Sequence, residues 1–524
     1  ISYAVLSGNG VSTQRAVGMC LIYLFADVTG YAYDMLNALG IVVLVLLWEN
    51  PFLLSYSGFV FSVMAVIAIG VGANVLLEWE HSWKRRQQAG EETIKKTFFS
   101  RQKEGILVSF AIQLFTIPLV AYSYYEIPVY AMLINLFVLA VVNGLLGLTV
   151  LGVIVGMAFL PAGRVLFAPC GWMLDSYRFL CEVSLKIPGA QRITGKPAHM
   201  RIFWYYLGLG VFLLAIYACA RRNEKHKDCR ETADLCVSRR KKRLQGIVFS
   251  CFIAFLLLFL LFPQKKSFEI DFLDVGQGDG IYLCTGGGTS MFIDGGSTDV
   301  KQVGKYRILP FLKAKGVSEI SYWFVSHTDT DHVSGLKEVL VSGYRVEYLV
   351  FAKAVEKEAK TKELAELARS HGTKVFYMQA GDTVRSKRAA MRCLYPKAAD
   401  KAEDVNDLCL VLQFEEGDIS ALFGGDISTD VEEQLSRREK WDKVLIFKAD
   451  HHGSRYANAE ALLKCIRPEI TVASAGKDNR YGHPSPDAVQ RIKESGSRFF
   501  CTIEGGRIRV RVIENKLVCE TYVK

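Results

Sequence analysis

The stretch FVSHTDTDHVSGL, residues 324–336, places His327, Asp329, Asp331 and His332 within six positions, directly after an apolar run. Imidazole nitrogens and carboxylate oxygens are good ligands for divalent cations, and a pair of such cations can drive hydrolysis by activating a water and stabilising the leaving oxygen. In an extended loop residues i and i+2 point the same way, which pairs His327 with Asp329. Asp331 and His332 come as the chain turns into the helical pattern VSGLKEVL, so they can face a second ion nearby. Four ligands in one hexapeptide therefore suit two metals better than one. A solvated turn with incidental charges is the alternative, and polar groups elsewhere in the chain argue against it. Asp294 follows MFI, Asp426 follows ALFGG, and His451 and His452 follow VLIFKAD, each group just past an apolar strand pattern. His483, in NRYGHPSPDAV, is either a proton donor or phosphate contact or a loop histidine with a structural role. Asn479, Arg480 and Tyr481 beside it could help hold a substrate phosphate. The glycine-rich CTGGGTS has no helix after it and no Gly-Lys-Ser/Thr, so it reads as a hairpin turn rather than a phosphate loop.

These residues need elements to carry them. From residue 267 onward the short segments SFEIDFLDV, GIYLC, TSMFID, ISYWFVS, VEYLVFA, LCLVLQF, ISALFGGD, KVLIFKAD and EITVASAG read as strands. Helical patterns such as VEKEAKTKELAELARSH and SPDAVQRIKESG fall between many of them. Hairpin-like pairs first and strand–helix alternation later fit two sheets covered by outer helices. The ends of neighbouring strands lie close together, so ligands distant in sequence can converge there.

The first half has another character. The chain has 524 residues, 51% of them hydrophobic, and a net charge of +10. Its length implies more than one domain, and a mean hydropathy of +0.20 is high for a purely soluble protein. Apolar runs at roughly 16–28, 35–49, 59–78, 105–123, 129–160, 202–220 and 246–263 are long enough, or nearly so, to cross a bilayer as helices. The run 129–160 is too long for one crossing and, with Asn143-Gly144 in its middle, is expected to form two helices joined by a tight turn. The mixed segment 163–189 is expected along the membrane interface. Asn37, Asn135, Asn143 and Ser62 are polar points within the spans that either line a path or bond across helices.

The surplus positive charge belongs to this half, because Lys+Arg and Asp+Glu roughly cancel after residue 267. A generally basic nucleic-acid-binding surface is therefore not expected in the second half. The Lys/Arg-rich loops 81–103 and 221–243 should be cytoplasmic, and counting crossings from them, with 129–160 counted twice, puts everything after Pro263 on the outer side. The 13 cysteines include no C-x-x-C pair, which argues against a zinc ribbon or a redox motif. No signal-peptide pattern opens at Ile1; the first residues read like the middle of something already in the membrane.

HTDTDH at 327–332 resembles the HxHxDH loop of the metallo-β-lactamase fold family. That resemblance implies His327 and Asp329 on a first metal, and Asp331 and His332 on a second. It further implies Asp426 bridging both ions, His451 or His452 completing the set, and Asp294 orienting the loop from behind. Asp329 stands where many members have histidine, and VNDLCLVLQF offers Asn406 and Asp407 in place of the family's middle histidine. The oxygen-rich set tilts the two divalent ions, Zn2+ or Mn2+, toward manganese.

With both halves joined, the chain is similar to the ComEC/Rec2 family of DNA-internalisation competence proteins. The resemblance rests on YAVLSGNGVSTQRAVGM and LNALGIVVLVLLWENPFLLSYSGFVFSV, then FLDVGQGDG, FIDGG, SHTDTDH, FGGD, HHGS and YGHPSP in order. The implied fold class is an α-helical polytopic membrane domain of about seven to nine helices (1–266), followed by an αββα metallo-β-lactamase-like domain (267–524). Relative to that family the chain is expected to lack early transmembrane helices, a small OB-like domain and the first part of the competence domain. The resemblance implies a multi-pass cell-membrane protein that imports transforming DNA as a single strand. An extracytoplasmic hydrolase domain would cut DNA phosphodiester bonds, and other uptake components would be its partners alongside DNA and the lipid bilayer. Asp331 or His483 would manage the proton, and Lys448, Arg455, Lys477 and Arg480 would hold the nucleic acid. The competing readings are a membrane-anchored metallohydrolase acting on another phosphodiester, and a transport protein whose hydrolase domain is inactive.

Overall fold

The computed structural model describes residues 8, 10–87, 98–225, 234–262, 266–514 and 516–523. The chain divides into two compact units, Ile1–Pro263 and Gln264–Lys524. Part of each basic loop used for the orientation argument, residues 88–97 and 226–233, lies outside the described residues.

The first unit is helical: α1 (Val11–Thr29), α2 (Met35–Glu49), α3 (Ser57–Ile67), α4 (Asn74–Gln87), α5 (Phe98–Tyr124), α6 (Ala131–Ala158), α7 (Leu160–Lys186), α8 (His199–Lys225) and α9 (Asp234–Leu260). A π-helical turn over Ala68–Ala73 joins α3 to α4, so the two run on as one. Among the described residues, four helical stretches are long and apolar enough to cross a membrane: Ser57–Trp83, Glu104–Tyr124, His199–Arg222 and Arg240–Leu260. A core of Leu114, Phe115, Tyr205, Phe212, Ile216 and Leu256 ties the α5, α8 and α9 helices together. Ser62 Oγ accepts a hydrogen bond from Arg15 Nε at 2.5 Å, so this polar point bonds across helices.

One expectation fails here. The α6 helix runs through Asn143-Gly144 without a break, over 28 residues. At 1.5 Å per residue that is about 42 Å, longer than the bilayer's apolar core. A turn between two aliphatic runs would leave backbone groups without partners in an apolar setting, whereas a continuous helix satisfies them internally. The segment expected along the interface falls mostly within the 27-residue α7, which is not among those four stretches. It folds back on α6 as a helical hairpin, with Gly163 packed against Gly156 and Thr149 Oγ1 3.8 Å from Cys170 Sγ. The short strands β1 (Glu126–Pro128) and β2 (Gln191–Ile193) pair antiparallel at the open end of that hairpin.

The second unit is a four-layer sandwich. One sheet contains β3 (Glu269–Phe272), β4 (Gly280–Cys284), β5 (Ser290–Asp294), β6 (Glu319–Phe324), β7 (Arg345–Ala352), β8 (Lys374–Met378), β16 (Ile508–Ile513) and β17 (Lys516–Thr521) in the order β17-β16-β3-β4-β5-β6-β7-β8. The other contains β9 (Thr383–Ser386), β10 (Ala389–Tyr395), β11 (Val411–Glu416), β12 (Ile419–Phe423), β13 (Ile446–Lys448), β14 (Ile470–Ala473) and β15 (Arg498–Cys501) in the order β15-β14-β13-β12-β11-β10-β9.

Alternation along these strands sends Ile270, Phe272, Ile293 and Phe324 from one sheet, and Leu412, Phe414, Phe423 and Ile446 from the other, into a shared interior. The opposite face of the first sheet packs on Val333, Leu336 and Leu340 of α11 (Thr330–Val341) and on Leu364 and Ala368 of α12 (Ala359–Ser370), with α10 (Leu309–Ala314) beside them. The opposite face of the second sheet packs on α13 (Thr429–Arg438), α14 (Glu460–Ile466) and α15 (Pro486–Glu494) through Leu435, Leu463 and Ile492. This helix–sheet–sheet–helix order is the αββα architecture of the metallo-β-lactamase fold. In both sheets the antiparallel strands pass into parallel ones, β5-β6-β7-β8 and β12-β13-β14-β15, and the polar groups follow the ends of those parallel strands.

Candidate metal centre

Strand β5 delivers Asp294 at its last residue, and β6 delivers Ser326 to His332 at the entry to α11. From the facing sheet, β12 delivers Asp426 and β13 delivers Asp450 to Gly453. The loop after β14 brings in Ser474 and, further on, His483. Backbone approaches hold the layers together at this end. A Cβ on Gly278 would sit 2.4 Å from the Asp331 carbonyl, and one on Gly296 would sit 2.5 Å from the His332 nitrogen. Asp294, His451 and His452 all have left-handed backbones, with φ of 57°, 48° and 55°. Such conformations cost about 1–3 kcal/mol each and persist where the surroundings enforce them.

Ligand atoms of His332, Asp426 and His452 converge, and Asp331 joins them through His452. His332 Nε2 and His452 Nε2 each lie 3.4 Å from Asp426 Oδ2, and His452 Nε2 lies 3.5 Å from Asp331 Oδ2. A tetrahedron of ligands with bonds of about 2.1 Å has edges of about 3.4 Å. Among the described residues neither Nε2 has a hydrogen-bond partner, nor does Asp426 Oδ1, although all three are buried. Buried polar atoms are normally paired, so orphans that face one another mark a place built for a cation. The residues present therefore fit a divalent metal.

The other ring nitrogen of each histidine is engaged. His332 Nδ1 lies 3.0 Å from Asp294 Oδ2, and His452 Nδ1 lies 3.0 Å from the Ser474 carbonyl oxygen. Such partners set the tautomer and turn Nε2 toward the metal position. Asp294 itself accepts from the Ser326 N–H and Oγ–H, both at 2.8 Å. His327 is oriented in the same way, with Nδ1 3.1 Å from Ser326 Oγ and 3.4 Å from Cys409 Sγ.

Asp329 departs from the expected pattern. Its Oδ1 lies 2.8 Å from Lys360 Nζ on α12, while its Oδ2 stands 4.0 Å from His327 Nε2. Among the described residues two clusters are close enough to share an ion, Asp279-His332-Asp426-His452 and His327-Asp331-His332, and Asp329 is in neither. A carboxylate at the exposed rim of the loop finds a lysine before it finds the buried centre.

Electrostatics follow burial and pairing. Burial works against charge on His332, but Asp426 and Asp294 outweigh it and raise its pKa well above the usual value. His452 is pushed up to about 9, against its burial, by Asp426 and Asp279. Burial and then the neighbouring His332 hold His327 down at about 4. His483 is also lowered to about 4, by burial and by His452 and His451, which leaves it neutral near pH 7. Asp426 stays ionised well below the ordinary carboxylate range despite burial, because His452 and His332 face it.

Three contributors escaped the sequence reading. Asp279, in the GQGDG turn, lies 3.7 Å from His452 Nδ1 and 2.7 Å from Lys448 Nζ, and both members of that ion pair are fully buried. Lys448, expected to hold nucleic acid, is thus an internal counter-charge 1% exposed and has no access to a ligand. Cys409, rather than Asn406 or Asp407, approaches His327; Asp407 Oδ1 instead accepts from the Ser428 N–H at 3.0 Å. The position of Asp279 after a glycine pair was the only local signal for it, and nothing local marks Cys409.

Of the remaining residues, His452 is buried and His451, one-third exposed, lies 3.7 Å from Asp426 Oδ2. Arg455, Arg480 and Tyr481 are exposed on the chain segments that follow His452 and precede His483. Asn479, expected on a substrate phosphate, uses its amide within its own loop: Nδ2 donates to the Gly476 and His483 carbonyls, and Oδ1 accepts from the His483 N–H.

A family model described as Competence protein matches residues 1–218. ComE operon protein 3 of Bacillus subtilis is 25% identical over 527 residues, which cover 97% of this chain and 62% of that protein. Recombination protein 2 of Haemophilus influenzae is 24% identical over 548 residues, covering 98% of this chain and 62% of that protein. The chain thus spans somewhat under two thirds of the length of these curated relatives. Among solved structures, the metallo-β-lactamase fold protein YhfI from Bacillus subtilis aligns over 45% of this chain and 96% of its own, at 11% identity and a TM-score of 0.33. A long-form RNase Z from yeast aligns over 49% of this chain and 50% of its own, at 8% identity and a TM-score of 0.30.

Proposed function

The chain belongs to the ComEC/Rec2 family of competence proteins, and from that premise we propose that it takes part in DNA uptake, its first unit passing a single strand of DNA across a membrane and its second hydrolysing DNA phosphodiester bonds. In this reading residues 1–266 form a multi-pass competence-type domain and residues 267–524 an extracytoplasmic hydrolase domain. Other uptake components join DNA and the bilayer as partners. The orientation rests on charge bias and helix parity. The α6–α7 hairpin contributes an even number of passes, so it leaves unchanged the parity that the split helix was meant to supply.

One observation carries the hydrolase reading: two orphaned imidazole nitrogens and two carboxylates meet at metal-ligand spacing at the open end of the sandwich. Asp331, His332, Asp426 and His452 would hold a first divalent ion, Zn2+ or Mn2+. His327, the second oxygen of Asp426 and, on leaving Lys360, Asp329 would hold another more weakly; His451 is placed to approach either. Bound there, such ions polarise a phosphoryl oxygen and lower the pKa of a water.

The chain's own groups do the rest. Asp331, one-fifth exposed and ionised, can take the proton of an attacking water. His483, neutral and hydrogen-bonded through its backbone to Asn479, can offer an N–H to a phosphoryl oxygen or to the leaving group. Arg455 and Arg480 at the rim would meet flanking phosphates.

The test is a cleavage assay on the full chain in lipid nanodiscs with a single-stranded oligonucleotide. Cleavage that needs added Mn2+ or Zn2+, stops with a chelator and is lost in Asp331→Ala supports the reading. Metal-independent or absent cleavage contradicts it. The pairing of Asp329 with Lys360 favours a second reading, in which a single tightly held ion leaves the domain to bind DNA without cutting it. In that case the metal-loaded protein binds DNA and leaves it intact.

A further inference from the structure

Three planar rings form a stepped column from solvent to the metal centre. The Tyr481 ring stacks on His483 at 5.7 Å between centroids with 25° between planes, and His483 stacks on His452 at 6.2 Å and 29°. His452 is the buried ligand candidate, and Tyr481, at the outer end, is 60% exposed. The loop that carries Tyr481 is preorganised, because the Asn479 side chain bonds both the N–H and the carbonyl of His483. A second large exposed aromatic stands nearby in the chain's path. Tyr456, 72% exposed, follows Gly453, whose carbonyl accepts from the Ser485 N–H at 2.8 Å and so joins the two loops. Among the described residues neither Arg455 nor Arg480, the exposed cations next to these tyrosines, makes an ion pair.

An exposed tyrosine already stacked on its inner face offers its outer face to another planar group. Arginines without carboxylate partners beside it favour a ligand that is both flat and anionic. Nucleobases joined by phosphates have that chemistry, and base–aromatic stacking is a sequence-tolerant source of affinity. A base can extend the column only if one of its own faces is free, as it is in a single strand and is not within a duplex.

We propose that Tyr481, with Tyr456 as a second step, is a stacking platform that selects single-stranded nucleic acid for the metal centre. The base rests on Tyr481 and its phosphate falls toward His483 and the ions. This rests on the reading of the second unit as a nuclease or nucleic-acid-binding domain, and it assigns Tyr481 to the base rather than to the phosphate.

The experiment compares binding of a fluorescein-labelled oligothymidylate and of a hairpin duplex of equal length to the full chain in nanodiscs, with chelator present to prevent cleavage. A second readout is the quenching of 2-aminopurine placed within the single strand. Tyr481→Ala should weaken single-strand binding by about tenfold and relieve the quenching, with duplex binding changed less than twofold. Tyr481→Phe should stay within twofold of wild type, Tyr481→Leu should resemble Tyr481→Ala, and Tyr456→Ala should shift in the same direction by less. Metal content equal to wild type in Tyr481→Ala checks that the centre is intact. A wild type that binds the single strand while Tyr481→Ala binds it equally well, or Tyr481→Leu that matches Tyr481→Phe, overturns the platform and leaves the nucleic-acid reading standing. A wild type that binds neither probe overturns both.

Discussion

The two halves of the HTDTDH loop meet opposite surroundings. The inner half, Asp331 and His332, enters a helix whose other side is packed, and its imidazole is gripped from behind by Asp294. The outer half, His327 and Asp329, has one member held by Ser326 and Cys409 and the other drawn to Lys360 at the rim. Residue type alone does not separate the halves, since each offers one imidazole and one carboxylate. What separates them is the partner on the far side of each ligand. Ligands aimed by buried groups form a cluster, and a ligand left at the surface pairs with the nearest lysine.

That comparison can be broken or sharpened by substitution. The largest effect should come from Asp426→Asn, which keeps the shape but removes the charge that faces both His332 and His452. Metal retention and hydrolysis should both fall by about a hundredfold or more, read by metal analysis and a cleavage assay. Next comes Lys448→Met, which strands Asp279 in the interior without its counter-charge. Breaking a buried pair from one side costs about 3–5 kcal/mol, so thermal unfolding of the second unit should shift clearly downward.

Asp294→Asn should weaken metal binding by about 10- to 100-fold, because the ligand it orients is left free to turn. A calorimetric titration would read this. Asp329→Asn and Lys360→Ala should change the first ion's affinity by no more than a few-fold, in keeping with the small value of exposed ion pairs.

The protons give a further handle. Without metal, His332 and His452 carry raised pKa values, so their pairing stabilises the fold fully below about pH 6.5 and that contribution fades as pH rises through about 9. Metal binding near pH 7 should therefore release protons, detectable as a buffer-dependent enthalpy, and apparent affinity should climb from pH 6 to 9. If no proton is released, the two imidazoles are not the ligands.

Much of this was legible from residues alone. The strands that carry Asp294, the 327–332 loop, Asp426 and the paired histidines are strongly apolar runs with a polar residue just past each end, and that pattern survives without tertiary information. The weaker strands β8, β9, β10, β15, β16 and β17 went unnoticed. Segments such as β9, Thr383–Ser386, are short, polar and half exposed, so their pairing partners rather than their own composition make them strands. Asn143-Gly144 misled because its turn propensity was weighed without the long aliphatic helix on either side of it. The roles of Asp279, Lys448, Cys409 and Asn479 depend on contacts across the sandwich or within a loop, which spacing cannot reveal.

The most direct test of the central claim, that Asp331, His332, Asp426 and His452 form the tighter cation site, is the metal content of the full chain after exhaustive dialysis, measured by mass spectrometry for wild type, Asp329→Asn and Asp426→Asn. One retained divalent ion per chain in wild type and in Asp329→Asn, with none in Asp426→Asn, is the predicted result. An ion retained in Asp426→Asn, or lost in Asp329→Asn, would contradict it.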